Sequence, residues 1–245
     1  MEFSIFQWIF ISIIFAWTGF VRTGIGFGGA ALGLPLLLLV DDSPLFFLPI
    51  IAIHLLFFTS LTAGRRLNNC DWSFVKFSMT WMIIPKIIGV IGLLSLPTKW
   101  MVIFVFCITA IYAISWITQR EFKNQPLWID KILLFIGGYI SGASLVGAPL
   151  IASVAIRKVE INQYRDTLFV LWFLLVIIKM SAFLIAGVDL QIFISMLLLA
   201  PATVGHMIGL RFHECLLQGD SSKLKKLIGI GLLIISLVGV IQTII

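Results

Sequence analysis

The sequence predicts an all-α integral membrane protein made of two inverted repeats, each a glycine-broken, re-entrant helix pair plus three transmembrane helices. Three observations carry that reading. Hydrophobic residues make up 60% of the 245 positions and charged ones 11%, where a soluble domain carries about 25% charged residues. The mean hydropathy is +1.13, and the apolar stretches reach about 18–22 residues, enough for a helix to cross a ~30 Å hydrocarbon core. Two glycine-rich segments also recur at corresponding places in the two halves of the chain.

The elements follow in chain order. Apolar runs cover residues 5–40, 45–63, 72–96, 100–118, 132–156, 168–186, 190–210 and 227–245. The first and fifth are unusual. One holds Gly19 through Gly29, with Gly24, Gly26 and Gly28 between; the other holds Gly137, Gly138, Gly142 and Gly147 before Pro149. Glycine at that density is expected to break a membrane helix, so each run is expected to form two half-helices around an unwound segment. The remaining six runs read as single crossings. The longest polar connections are residues 119–131 and 211–226, too short for a soluble domain.

A shift of 119 residues pairs Gly19 with Gly138, Phe20 with Tyr139, Val21 with Ile140, Gly28 with Gly147 and Val40-Asp41 with Val159-Glu160. A three-residue gap then pairs Pro85 with Pro201 and Gly89 with Gly205. The expected repeats are therefore residues 1–122 and 123–245. Charge selects the topology. With both glycine-broken runs re-entrant, Arg65, Arg66, Arg120, Lys123, Lys131, Arg157, Lys158, Arg211, Lys223, Lys225 and Lys226 all fall on the cytoplasmic side, as the positive-inside rule requires. Asp41, Asp42 and Asp189 fall outside, and Lys99 alone among the loop cations joins them. Three crossings per half, an odd number, invert the second repeat relative to the first. Paired broken helices in inverted repeats are a transporter architecture.

Several function classes are excluded or disfavoured. The net charge of +6 is that of cytoplasmic loops, so no nucleic-acid partner is expected. Cys70, Cys107 and Cys215 are odd in number and far apart, giving neither a disulfide framework nor metal-ligand spacing. Met1-Glu2-Phe3 lacks the basic region of a cleaved signal peptide. Gly24 through Gly29 fits the dinucleotide pattern GxGxxG in form only, because no strand–turn–helix surrounds it. His213, Glu214 and Cys215 are adjacent and do not converge on one helical face, so the chain is not expected to be an enzyme. No cofactor or metal is expected.

The chemistry is expected from buried cations. All eleven acids lie outside the apolar runs, while Arg22, Lys86 and Lys179 lie inside them. A charge at bilayer depth costs about 2.5–3.5 kcal/mol or more and calls for a partner. The simplest missing counter-ion is an anionic substrate; the competing reading is that these side chains snorkel to an interface. Half-helices starting in mid-membrane add unpaired N–H groups and a partial positive charge, expected at Gly28, Gly29, Gly147 and Ala148, with Gly24 and Gly26 allowing close approach. The competing reading of such glycines is helix packing, which fits Gly205 and Gly209 well. Arg165, at the start of a helix, is a further candidate that has Asp166 or lipid headgroups as alternative partners. His54 and His206 are the candidate proton-coupling groups.

The stretch Gly24-Ile25-Gly26-Phe27-Gly28-Gly29-Ala30 followed by Pro35, the stretch Ser141–Pro149 followed by Tyr164-Arg165-Asp166-Thr167, and Pro201 through Arg211 together resemble the sulfite exporter TauE/SafE family of bacterial membrane transporters. The resemblance implies a multi-pass protein of the bacterial inner membrane that exports sulfite, sulfoacetate or a similar small organosulfonate. Its partners would be a small anion and the lipid bilayer, with a homodimer left open. An uncoupled anion channel or uniporter, or an importer of another small anion, is the alternative.

Overall fold

The computed structural model describes residues 3–25, 28–64, 66–118, 125–218 and 221–244, without the side chains of residues 25, 63, 212–218 and 221–225. Among the described residues there are ten α-helices: α1 Ile5–Ile25, α2 Gly29–Leu38, α3 Pro44–Ala63, α4 Trp72–Ser95, α5 Thr98–Thr118, α6 Leu127–Ser144, α7 Ala148–Lys158, α8 Ile161–Ile185, α9 Ile192–Gln218 and α10 Ser221–Ile244. A 3-10 turn at Leu67–Asn69 precedes α4. Eight helices are long and apolar enough to cross a membrane. The short ones, α2 with 10 residues and α7 with 11, extend only about 15 Å at 1.5 Å per residue, half a bilayer core.

Local chemistry explains the boundaries. Asp71 caps α4 by accepting the Phe74 N–H at 2.9 Å. Gly187, at φ 69°, ends α8: its N–H reaches Leu184 O at 3.2 Å and that of Val188 reaches Phe183 O at 3.0 Å. That pairing is a Schellman close. Hydroxyls within helices bond back to their own backbone, as Thr23 does to Gly19 O and Ser144 to Ile140 O, both at 3.0 Å. A hydroxyl bonded in this way leaves no polar hydrogen of its own unpaired in an apolar setting. The outer faces carry exposed apolar side chains such as Ile84, Ile88 and Ile91 on α4, while the opposite face of α4 buries Met82, Pro85, Lys86, Gly89 and Val90.

The chain groups into two compact units. The first comprises Met1–Phe47, Pro97–Glu121 and Phe193–Ile245; the second comprises Leu48–Leu96 and Phe122–Ile192. Each unit draws helices from both halves of the sequence. In the first, α1 packs on α2 and α5 along α10. In the second, α4 lies along α6, and α7 and α8 complete the body.

Both glycine-rich runs form hairpins. Added side chains at Gly29 and Gly33 would meet Thr18, so α2 runs back along α1. Likewise Gly147 abuts Gly137 O, and Gly137 faces Ile151. The outer ends of the second hairpin meet. Asp130, near the start of α6, takes Arg157 at 2.5 Å and Lys158 at 3.1 Å from the end of α7. Phe3, ahead of α1, packs its ring against Phe46 and Phe47 at the start of α3, at 5.4 and 6.4 Å.

Three expectations need correction. The breaks are narrower than two half-helices: α1 runs through Gly19 and Gly24 to Ile25, and α6 through Gly137, Gly138 and Gly142 to Ser144. These glycines do not break the helix because a neighbouring backbone fills the missing side-chain space, as Ala202 does for Gly19 and Met82 for Gly138. The connection at 211–226 is mostly helix, since α9 extends to Gln218 and α10 starts at Ser221. Asp130 and Asp166 are not loop acids; both are buried within α6 and α8. Gly89 abuts Tyr139 O and Ala143 N, and contacts of the same form are made by Gly205, to Ala16 O and Phe20 N, and by Gly209, to Phe20 O and Gly24 N. The packing role expected of Gly205 and Gly209 is observed: Gly205 faces the Ala16 carbonyl.

Candidate anion site

The last turn of α6 holds two buried lysine side-chain nitrogens. Lys86 Nζ donates to Ser141 Oγ at 3.1 Å and to Ser141 O at 3.3 Å. Lys179 Nζ donates to Gly142 O at 2.7 Å and lies 5.5 Å from the centre of the Phe183 ring. Both lysines are 0% exposed. Sequence features place them there. Gly142 has no side chain, so α4 approaches until the Lys86 carbonyl touches it, and this puts Lys86 over the end of α6. Leu145 then turns the chain in the left-handed region, at φ 60°, with its N–H on Ser141 O at 3.1 Å. Gly147 starts α7 against the Ser141 backbone, where even a methyl group would come within 2.7 Å of Ser141 N.

The electrostatics are unbalanced. A helix C-terminus offers its unpaired carbonyls and about half a negative charge. Two lysine side chains meet at this end, and the partners of their Nζ atoms here are neutral oxygens. The carboxylates buried in the same unit are engaged elsewhere. Asp130 binds Arg157 and Lys158. Asp166 accepts from Asn69 Nδ2 at 2.7 Å, with Arg66 at 3.9 Å.

The first unit holds a second cluster at the end of α1. Arg22 is 5% exposed in the last turn. Gly28, at φ 89°, turns the chain into α2, and Gly29 rests on Thr18 and Arg22. His206 Nδ1 lies 2.6 Å from Thr23 Oγ. Gly24 is touched by Gly209.

Of the candidate residues, the structure therefore joins Lys86, Lys179 and Gly147, with Ala148 as the first residue of α7, and separately joins Arg22, Gly24, Gly28, Gly29 and His206. Snorkelling is overturned as a reading of Lys86 and Lys179, which never reach an exposed edge. Arg165 is half-buried on α8 and is not the ion-pair partner of Asp166. His54 is buried in α3. Gly26 and the side chains of His213, Glu214 and Cys215 lie outside the described residues. Sequence reading missed Ser141, Gly142 and Thr23 as partners. Carbonyls and hydroxyls gain a role only from what the fold brings to them. The groove lined by Ile53, Leu56, Phe57, Ser60 and Leu61 carries no charge and offers an anion nothing.

A multi-pass helical membrane protein that keeps cations within its helical body is the class these features define. The chain belongs to the sulfite exporter TauE/SafE family, whose profile matches residues 11–239; the resemblance read from the glycine-rich stretches is borne out. It is accordingly a membrane transport protein. Searches of curated proteins and of solved structures find no match.

Proposed function

We propose that the protein exports a small sulfur oxyanion or organosulfonate across the bacterial inner membrane by alternating access. One observation carries the anion: Lys86 and Lys179 converge, fully buried, on adjacent carbonyls at the end of α6. An oxyanion supplies the missing negative charge and accepts hydrogen bonds from both ammonium groups. The family supports sulfite as the first substrate to test. Purified protein in liposomes should drive saturable counterflow of one or more of sulfite, sulfate, sulfoacetate and thiosulfate. Flux of these anions without saturation or counterflow would make the protein an uncoupled channel, and exchange limited to carboxylates would remove the sulfur oxyanion.

The same reading treats the two hairpins as re-entrant within inverted repeats of residues 1–122 and 123–245. The meeting of Asp130 with Arg157 and Lys158 supports it, because a chain that crossed once between these residues would part them by a full bilayer. Cysteines placed beside Arg157 and beside Lys225 should both be labelled from the cytoplasm, and both chain ends should lie outside. Periplasmic labelling near Arg157 with cytoplasmic labelling near Lys225 would defeat this topology.

A further inference from the structure

The hydrogen bonds at the end of α6 do not require two ammonium ions. Lys86 Nζ donates twice, to Ser141 Oγ and to Ser141 O, and Lys179 Nζ donates once, to Gly142 O. A neutral amine has two N–H groups and can make each of these bonds, whereas an ammonium ion has three. Among the described residues the third proton of Lys86 would find no acceptor, and the further protons of Lys179 would find only the Phe183 ring. The local charges agree with this. The end of α6 supplies about half a negative charge, and the ring face adds some support for one cation. Neither answers a second full charge on a side chain that is 0% exposed. Lys86 is the charged group that acts on Lys179. The other ionisable groups of the surrounding helices lie apart. Lys76 is exposed about 15 Å back along α4 at 1.5 Å per residue. Asp130, at the far end of α6, is held by Arg157 and Lys158 of α7, and Lys131 sits over the Trp81 ring. On α8, Tyr164 bonds Ala152 O and Asp166 takes Asn69, with Arg165 between them, about 20 Å from Lys179 along the helix. The Tyr139 hydroxyl faces Gly92 on α4.

We propose that Lys86 and Lys179 together form the proton site of this protein: the empty pair holds one proton fewer than two ammonium ions, and a binding anion brings the missing one with it. This rests on the anion-transport reading above, and it moves the proton from the histidines expected from the sequence to the lysines. The proton comes from water, joins the lone pair of the neutral amine nitrogen, and leaves hydroxide or a deprotonated buffer behind. The N–H formed has no acceptor in the empty site and donates to an anion oxygen. The anion in turn supplies the negative charge that a second buried ammonium needs. Because the two nitrogens act on each other, the proton belongs to the pair and not to either lysine. Anion and proton therefore load together, and the site takes on one negative charge less than the anion alone carries. The sign of the pH effect follows. The loaded pair holds protons more tightly than the empty pair, so anion affinity should rise as pH falls while the empty pair fills. One proton taken up per anion makes that rise about tenfold per pH unit, and it levels off once the empty pair holds both protons.

The test uses the full chain in lipid nanodiscs, labelled with nitrogen-15 at the lysine Nζ, and methanesulfonate, whose single charge does not change with pH. Calorimetry in two buffers of unequal ionisation heat counts the protons taken up per anion. Nitrogen NMR tells a neutral amine from an ammonium ion. Exposed lysines stay ammonium between about pH 6 and about pH 9, so an amine signal there reports a buried one. The empty protein should show an amine signal that converts to ammonium when methanesulfonate is added, with uptake approaching one proton per anion. The signal should shift or vanish in Lys86→Met and in Lys179→Met. Binding without proton uptake anywhere in this range overturns the proposal. So does uptake by a protein whose lysines are all ammonium when empty, since the proton then sits on another group such as a histidine. An amine signal unchanged in both variants overturns it too. The wild-type proton count and spectra decide the matter if the variants do not fold. If neither methanesulfonate nor any sulfur oxyanion binds at any pH, the transport reading fails and this proposal falls with it, whereas binding without uptake defeats this proposal alone.

Discussion

Lys86→Met should abolish anion-dependent stabilisation and at the same time make the empty protein more stable. The two effects have one cause. The ammonium is fully buried among neutral oxygens and close enough to Lys179 for the two charges to act on each other. On the proposed anion-transport reading, its positive charge is unfavourable until an anion arrives. Removing a cation of this kind strands little, because Ser141 O keeps the Leu145 N–H at 3.1 Å. Replacement of buried ionic groups by apolar ones of similar volume is often neutral or stabilising by about 1–4 kcal/mol. Each kcal/mol moves the melting temperature of a chain this size by about 2–4 °C. Anion affinity should fall by about tenfold or more, the loss of a charged hydrogen bond. Lys179→Met should lose affinity similarly and gain less stability, because it takes away the donor to Gly142 O. Melting curves of both variants with and without sulfite check the pair of effects. A Lys86→Met protein that melts lower and keeps wild-type anion stabilisation would make the lysine a structural cap.

Gly142→Ala should destabilise the protein by about 1–3 kcal/mol or more, the range for forcing atoms into a packed interior, and Gly142→Leu should prevent folding. The added carbon would meet Lys86 O, Lys86 C and the Gly89 Cα, all backbone or nearly so, and none of them can swing aside. The helices α4 and α6 would have to part, carrying Lys86 away from Ser141. Gly231→Ala is the internal control. Nothing lies within 4 Å of a side chain there, and replacing a helical glycine by alanine where nothing clashes stabilises by roughly 0.5–1 kcal/mol. Detergent melting of the three variants decides it. Equal stability of Gly142→Ala and wild type would show that the α4–α6 approach is not tight.

The sequence alone determined the membrane class, because hydrophobicity over a helix length is a local property that needs no fold. It also determined that charge sits at depth, since Arg22, Lys86 and Lys179 interrupt apolar runs whatever their neighbours. The glycine-rich stretches and the family they resemble were legible for the same reason. Three things were not. The extent of α1 and α6 was misjudged, because a glycine breaks a helix or packs it according to what lies opposite, and Ala202 and Met82 come from distant parts of the chain. The partners of the cations were invisible, since Ser141 and Gly142 act through carbonyls freed by a helix end and a hydroxyl beside them. The grouping of cations was also hidden. Lys86 and Lys179 stand on α4 and α8, far apart in sequence, and meet only because α6 ends between them, whereas Arg22 is gathered with His206 instead. A chain's own pattern specifies what each segment buries; which buried groups face one another is decided by packing, where backbone approach at a few glycines sets the register of whole helices.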